Sequence, residues 1–225
     1  MTKTYFVTGT DTDVGKTLVS AALLQAASLQ GLSTLAYKPI AAGCATSALG
    51  LRNEDALILQ KYSSINVHYE LINPIAFKEP IAPHLAAVIE NKPIDLNCVS
   101  VGLQKLQDLQ ADVLIVEGAG GWHLPINHQQ LLSQWVSEQN LAVILVVGMK
   151  LGCLNHALLT YQAILKDGLQ VVGWVANQLV TEMPCYEQNL HYLKQKIDAP
   201  LIAQLPSLAK PYQQNLAPYI NFKFT

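Results

Sequence analysis

The run Gly9-Thr10-Asp11-Thr12-Asp13-Val14-Gly15-Lys16-Thr17 carries the clearest chemistry in the chain. It follows the apolar residues Tyr5-Phe6-Val7 and opens into Leu18-Val19-Ser20-Ala21-Ala22-Leu23-Leu24. That order reads strand, glycine-bounded loop, helix. Such a loop turns successive backbone N–H groups towards one point at a helix N-terminus, where the helix dipole also favours negative charge. A lysine at its end suits the outer phosphates of a nucleotide, and a threonine hydroxyl suits magnesium. The strict phosphate-loop pattern keeps four residues between its glycines, whereas five separate Gly9 from Gly15 here. The Gly-Lys-Thr end is intact. A plain glycine turn before a helix would account for Gly15 but not for Lys16 and Thr17 after it.

Other candidate groups fall at strand ends. Leu32 to Tyr37 reads as a strand with Lys38 as its last residue, because Pro39 cannot join a ladder. In open α/β sheets, ligands bind beyond the carboxyl ends of the strands. Spacing alone leaves Lys38 as either a ligand-directed cation or a solvated strand-end lysine. Asp112 to Glu117 is continuously apolar from Val113 to Val116 before its final acid, the pattern of a strand buried on both faces. Glu117 can hold magnesium directly or through water, and Gly118-Ala119-Gly120-Gly121 lets backbone approach a ligand closely. A solvated acid before a tight turn is the plainer alternative. Leu141 to Val147 reads as a further strand, followed by a second glycine-punctuated loop from Gly148 to His156. Val171 to Ala176 closes on Asn177, and Leu201 to Leu205 runs into Pro206.

Between these strands lie helical stretches. Lys16 to Gln30 is expected to be helical, with Gly31 as a left-handed cap. Asn53 can cap a helix from Glu54 to Lys61, whose acids Glu54 and Asp55 complement the dipole. Helices are also expected over Leu85 to Asn91, Leu96 to Gln110, Leu131 to Gln139, from the end of the Gly148–His156 loop to near Gly168, and Tyr186 to Ile197. Residues 41–52 read as a loop, and 62–83, with Pro74, Pro80 and Pro83, as a long irregular substrate-side segment. Strands and helices alternate throughout. This predicts one α/β domain over residues 1–225, with a doubly wound, mainly parallel sheet, helices on both faces and all the strand-end loops along one edge.

Composition narrows the function. Apolar residues make up 51% of the chain and charged residues 13%, with a formal net charge of −2. That supplies no basic field for nucleic acid and no polybasic membrane patch. No apolar run is long enough to span a bilayer, and no charged-then-apolar leader precedes the first strand. The expectation is a cytoplasmic protein with small-molecule partners. The four cysteines form no C-x-x-C pair, so free thiols are expected rather than zinc or disulfides. His84, His123 and His156 lack ligand spacing and are read as hydrogen-bonded structural residues.

Taken in order, Gly9 to Thr17, Tyr37-Lys38-Pro39, Glu117 to Gly121 and Lys150 to His156 resemble the ATP-dependent dethiobiotin synthetases over nearly the whole chain. Arg52-Asn53-Glu54-Asp55-Ala56, Asn73-Pro74 and Gly173 to Asn177 fit the same pattern. The resemblance implies a P-loop NTPase-like fold. It also implies ATP- and magnesium-dependent joining of CO2 to 7,8-diaminononanoate in biotin biosynthesis. The route runs through a carbamate and a carbamic–phosphoric anhydride to dethiobiotin, ADP and phosphate. By resemblance, Lys38, Lys16 and Thr12 stand at the reacting groups. ATP would lie on Asp13, Val14, Gly15, Lys16, Thr17, Leu18, Asp55, Glu117, Gly118, Ala119 and Gly120, with its base beside Asn177, Gln178, Pro206, Ser207 and Leu208. The diamine would lie on Lys38, Gly118, Leu151, Gly152, Cys153 and Asn155, near a homodimer interface, and Mg2+ on Thr17, Asp55 and Glu117. Two departures stand out. Ala42 occupies a position where the family loop often carries serine, and residues 178–195 match poorly. The latter leaves open which of Tyr186, Asn189 and Tyr192 serves a partner subunit; base contacts near Gln213 are also open.

Two other readings compete with this one. A partition-type switch ATPase carries a signature lysine early in the loop, where this chain has Asp11. The amidotransferase synthetases that amidate corrinoid carboxylates need a glutaminase domain, for which this chain has no room.

Overall fold

A computed structural model describes residues 2–224. In chain order the elements are β1 (Lys3–Gly9), α1 (Lys16–Leu29), β2 (Thr34–Tyr37), β3 (Ile40–Ala41), β4 (Ala45–Ser47), β5 (Gly50–Arg52), α2 (Glu54–Tyr62), α3 (Tyr69–Ile72), β6 (Ile75–Ala76), α4 (Pro83–Ile89) and α5 (Leu96–Gln107). They continue with β7 (Val113–Glu117), α6 (Leu132–Glu138), β8 (Ala142–Met149), α7 (Cys153–Lys166), β9 (Val171–Gln178), α8 (Tyr186–Lys196) and β10 (Leu201–Leu205), then single 3-10 turns at Pro211–Gln213 and Ala217–Tyr219.

Six strands form one sheet in the order β10-β9-β8-β1-β7-β2, and every neighbouring pair is parallel. The apolar runs explain why it is covered on both sides. Along β1, Phe6 packs into one core while Tyr5 and Val7 pack into the other. In β7, Leu114 and Val116 alternate in the same way with Val113 and Ile115, and β8 repeats the alternation with Leu145 against Ile144 and Val146. Helices α1 and α2 close one face through Val19, Leu23, Leu24 and Leu59. Helices α4 to α8 close the other through residues such as Leu103, Trp135, Ile164 and Leu193. Each such side chain withdrawn from water contributes roughly 1.5–3 kcal/mol. Parallel strands bring all six carboxyl ends to one edge, and every strand-end loop emerges there.

The structure corrects several local expectations. Strand β2 stops at Tyr37, so Lys38 lies just beyond it; its N–H donates to Ile72 O at 2.8 Å instead of to a ladder partner. The stretch 41–52 is not all loop, since β4 and β5 pair as an antiparallel hairpin turned with the help of Gly50 at φ +95°. The irregular segment 62–83 contains α3, and β6 pairs in parallel with β3. Helix α5 ends three residues early, before Gln110 takes a left-handed φ of +56°.

Candidate active site

Five residues from four separate stretches of the sequence meet at the carboxyl edge of the sheet. The β1–α1 loop brings Lys16 and Thr17, with Gly15 at φ +89° forming the left-handed cap of α1. Strand β7 ends in Glu117, which is 1% exposed. Thr17 Oγ1 donates to Glu117 Oε1 at 2.9 Å. Lys38 Nζ lies 2.6 Å from that same oxygen and 3.2 Å from Asp55 Oδ2. Glu117 Oε2 is buried without a hydrogen-bond partner among the described residues. Asp55 arrives in the first turn of α2, which begins because the Asn53 side chain accepts from Ala56 N.

A buried network not visible in the sequence fixes these groups relative to one another. The Asn53 N–H donates to the Tyr69 hydroxyl at 2.7 Å, and that hydroxyl donates to Asn73 Oδ1 at 3.0 Å. Asn73 Nδ2 in turn donates to the Lys38 carbonyl at 2.7 Å. The cap of the helix carrying Asp55 is thereby tied to the backbone of Lys38. Only the Asn73-Pro74 pair hinted at it.

Electrostatics follow from burial. Desolvation pulls the Lys16 pKa below the usual lysine value, and the nearby Glu117 charge only partly offsets it. Lys38 is more fully buried still, but Glu117 and Asp55 outweigh that effect and hold its pKa above the ordinary value. The Asp11 carboxyl is held below its usual range, foremost by the Thr12 N–H; Lys150 Nζ lies 3.3 Å from its Oδ2.

A cavity of about 750 Å³ opens over this cluster. Thr12, Asp13, Gly15, Lys16, Thr17, Lys38, Asp55, Glu117, Ala119 and Gly120 line it. Ala42, Asn53, Leu124 and the Pro80-Ile81-Ala82-Pro83 stretch of the proline-rich segment add to the wall. So does Tyr212, which sequence reasoning missed. Its position after a proline beyond the last strand gave only a weak cue. Burial, with Asp55 and Glu117 adding to it, pushes the Tyr212 phenol well above the usual tyrosine range.

Other expected residues lie elsewhere. Val14 is buried in the core, so only its backbone can meet a ligand, and Leu18 is half-buried against α1 neighbours. Gly118 is not on the cavity wall: its N–H donates to Val7 O, and a Cβ there would meet Phe6 at 2.8 Å. Asn177 braces the loop from below, donating to Val14 O at 2.8 Å. Gln178, Pro206, Ser207 and Leu208 do not line the cavity, and neither do Leu151, Gly152, Cys153 and Asn155. Leu151, Gly152 and Asn155 are exposed at the start of α7, whereas the Cys153 side chain is buried in the core. His123 Nε2 lies 3.4 Å from Asp167 Oδ2, but His84 Nδ1 is buried without a partner among the described residues, against the hydrogen-bonded role expected of it.

Among solved structures, the fold is shared with a ParA family ATPase from Chlorobium tepidum (TM-score 0.55, 16% identity, covering 98% of this chain and 91% of that one). It is also shared with the MinC:MinD cell division protein complex of Aquifex aeolicus (TM-score 0.59, 13% identity, covering 97% and 87%). These likenesses establish a P-loop NTPase fold. A family model described as an AAA domain matches residues 3–214. The ATP-dependent dethiobiotin synthetase of Cellvibrio japonicus is 51% identical over 207 residues, covering 92% of this chain and 90% of the relative. That of Aeromonas salmonicida is 48% identical over 216 residues (96% of each), and one from Escherichia coli is 47% identical over 222 residues (98% of each). Similarity of this extent, over a chain whose lysines and acids converge on one phosphate-loop cavity, places the protein in the family of ATP-dependent dethiobiotin synthetases.

Proposed function

We propose that the protein closes the ureido ring of dethiobiotin. One amine of 7,8-diaminononanoate captures CO2 as a carbamate. A carbamate oxygen attacks the γ-phosphorus of ATP and ADP departs, giving a carbamic–phosphoric anhydride. The second amine attacks the carbamoyl carbon and expels phosphate. The observation that carries this reading is the convergence of Lys38 with Lys16, Thr17, Asp55 and Glu117 on one cavity. Phosphoryl transfer demands little covalent chemistry from a protein and much positioning and charge neutralisation. In this reading Lys16 and the loop N–H groups grip the phosphates, Thr12 faces the reacting groups, and Lys38 stabilises charge on the carbamate and the transferring phosphoryl group.

Magnesium belongs to the same reading. A hydroxyl and two carboxylates are hard oxygen donors, and the partnerless Oε2 of Glu117 is a buried acceptor that a hydrated cation would satisfy. Among the described residues no three His, Cys, Asp or Glu side chains form a cage. That suits an ion that keeps its waters and takes one or two carboxylates together with phosphate oxygens. Thr17, Asp55 and Glu117 would hold it, and when bound it would neutralise charge on the β- and γ-phosphates.

The adenine would extend towards Asn177, Gln178 and the Pro206-Ser207-Leu208 segment. The diamine would reach the Gly118 turn and the exposed Leu151, Gly152 and Asn155 beside buried Cys153 at the start of α7, completed by a second copy of the chain in a homodimer. We place the enzyme in the cytoplasm; no helix among the described residues is long and apolar enough to cross a membrane. Purified protein supplied with diaminononanoate, labelled bicarbonate and Mg-ATP should yield labelled dethiobiotin, with phosphate release dependent on the diamine. Equal phosphate release without diamine, and no labelled product, would refute the assignment.

A further inference from the structure

The two carboxylates assigned to magnesium are already joined by a cation of the chain itself. Glu117 Oε1 takes both the Lys38 ammonium at 2.6 Å and the Thr17 hydroxyl at 2.9 Å, while Asp55 Oδ2 stands 3.2 Å from the same ammonium. Lys38 is 4% exposed. Its backbone is pinned at both ends, by N–H donation to Ile72 O and by Asn73 Nδ2 donating to its carbonyl. Its charge can therefore relocate only through its four-carbon stem.

We infer that the Lys38 ammonium is a displaceable counter-ion of the metal site, holding Asp55 and Glu117 together until a divalent cation takes their oxygens. The inference rests on the magnesium assignment proposed above. Magnesium demands near-ideal octahedral geometry at roughly 2.0–2.1 Å, and an ammonium on Glu117 Oε1 obstructs it both sterically and by like charge. Lys38 cannot simply withdraw, because a buried cation stripped of its partners is strongly unfavourable. A triphosphate in the cavity offers it new anionic partners. Metal and nucleotide thus enter as a coupled pair, each favouring the other by the same factor. The displacement also delivers Lys38 to the oxygens on which charge develops during transfer. A compact ammonium on a flexible stem suits such a move better than a planar guanidinium.

Manganese, visible by electron paramagnetic resonance, is the probe. It is titrated without nucleotide into the wild type and into Lys38→Met and Lys16→Met variants. Lys38→Met should bind manganese at least about tenfold more tightly than the wild type, because a charge in direct contact with the site is removed. Lys16→Met, which removes a nearby cation that is not on these oxygens, should gain far less. Equal affinity in Lys38→Met and wild type, or an equal gain in both variants, would overturn displacement. If Lys38→Met does not fold, wild-type protein carrying 15N-labelled lysine side chains decides. The Lys38 ammonium resonance should move once metal fills the site, at far lower magnesium with a non-hydrolysable ATP analogue than without it; an unmoved resonance at saturating magnesium and analogue would refute the inference. Unchanged binding of manganese–nucleotide by Glu117→Gln and Asp55→Asn variants would instead remove the underlying metal assignment.

Discussion

The side-chain amide of Asn177, at the end of β9, donates to the carbonyl of Val14 at 2.8 Å and lies directly beneath the phosphate loop. A Cβ added to Gly15 would stand 2.2 Å from that amide nitrogen. Gly15 also holds φ +89°, in the left-handed region. Replacing it with alanine adds a conformational cost of about 1–2 kcal/mol to a contact relieved only by swinging the Asn177 amide off Val14 O or by shifting the loop. Gly15→Ala should therefore weaken ATP binding by about tenfold or more, as read by nucleotide titration. Unchanged affinity would mean that the loop geometry is not what grips the phosphates.

Lys38→Ala should lower turnover by about a hundredfold, the scale on which a single preorganised electrostatic contact acts, while leaving ATP affinity largely intact. Lys16→Ala should lose both, because in the proposed reading that lysine grips the nucleotide before and during transfer. Single-turnover phosphate release and nucleotide titration on the two variants separate these outcomes. A Lys38 variant that fails only by losing ATP would contradict the assigned role.

The proposed homodimer has a surface to test. Leu151 is 98% exposed and Leu159 is 59% exposed on the segment where the diamine site is proposed to be shared. Sedimentation should show a dimer at working concentrations, and Leu151→Asp should shift it towards monomer and raise the KM for the diamine more than that for ATP. A monomer with full activity would exclude a shared site.

Acid stability should report a clamp at the amino ends of two adjacent strands. Asp112 Oδ2 accepts from Ser33 Oγ at 2.6 Å and from Ser33 N at 2.8 Å, before β7 and β2 respectively. The serine side chain, foremost, holds the Asp112 carboxyl below its usual range. A depressed carboxylate pKa contributes stability above the unfolded value, and that contribution fades as pH falls through the folded one. Ser33→Ala should thus lower the melting temperature by a few degrees at neutral pH, and the difference should shrink below the ordinary carboxylate range. A difference that is constant across pH would mean that the ionised form is not what Ser33 favours.

What could be read beforehand followed physical periodicity. The buried strands ending in Glu117 and Asn177 announce themselves through continuous apolar runs, and α1 and α2 through their glycine and asparagine caps. Asp55 is different: its spacing fits simple dipole complementation, and only family resemblance raised it above that. The Asn53–Tyr69–Asn73–Lys38 network escaped notice because hydrogen bonds between remote polar residues leave no period in a sequence. The β4–β5 hairpin was equally hidden, being three exposed residues a side with no apolar alternation. Tyr212 follows a proline past the last strand, where nothing local says which way a ring will face.

Placing β1 at the centre of the sheet has a price during synthesis. Lys3 faces Val113 on one side, and Tyr5 faces Ala142 on the other. At roughly 5–20 residues per second, the nascent Tyr5-Phe6-Val7 segment waits several seconds on the ribosome before either neighbour is translated. Its apolar side chains and both hydrogen-bonding edges are available to other chains meanwhile. The phosphate loop, built on that strand and braced by Asn177, can acquire its final shape only after more than three-quarters of the polypeptide exists. Nucleotide therefore cannot guide the early steps of folding, because its site does not yet exist.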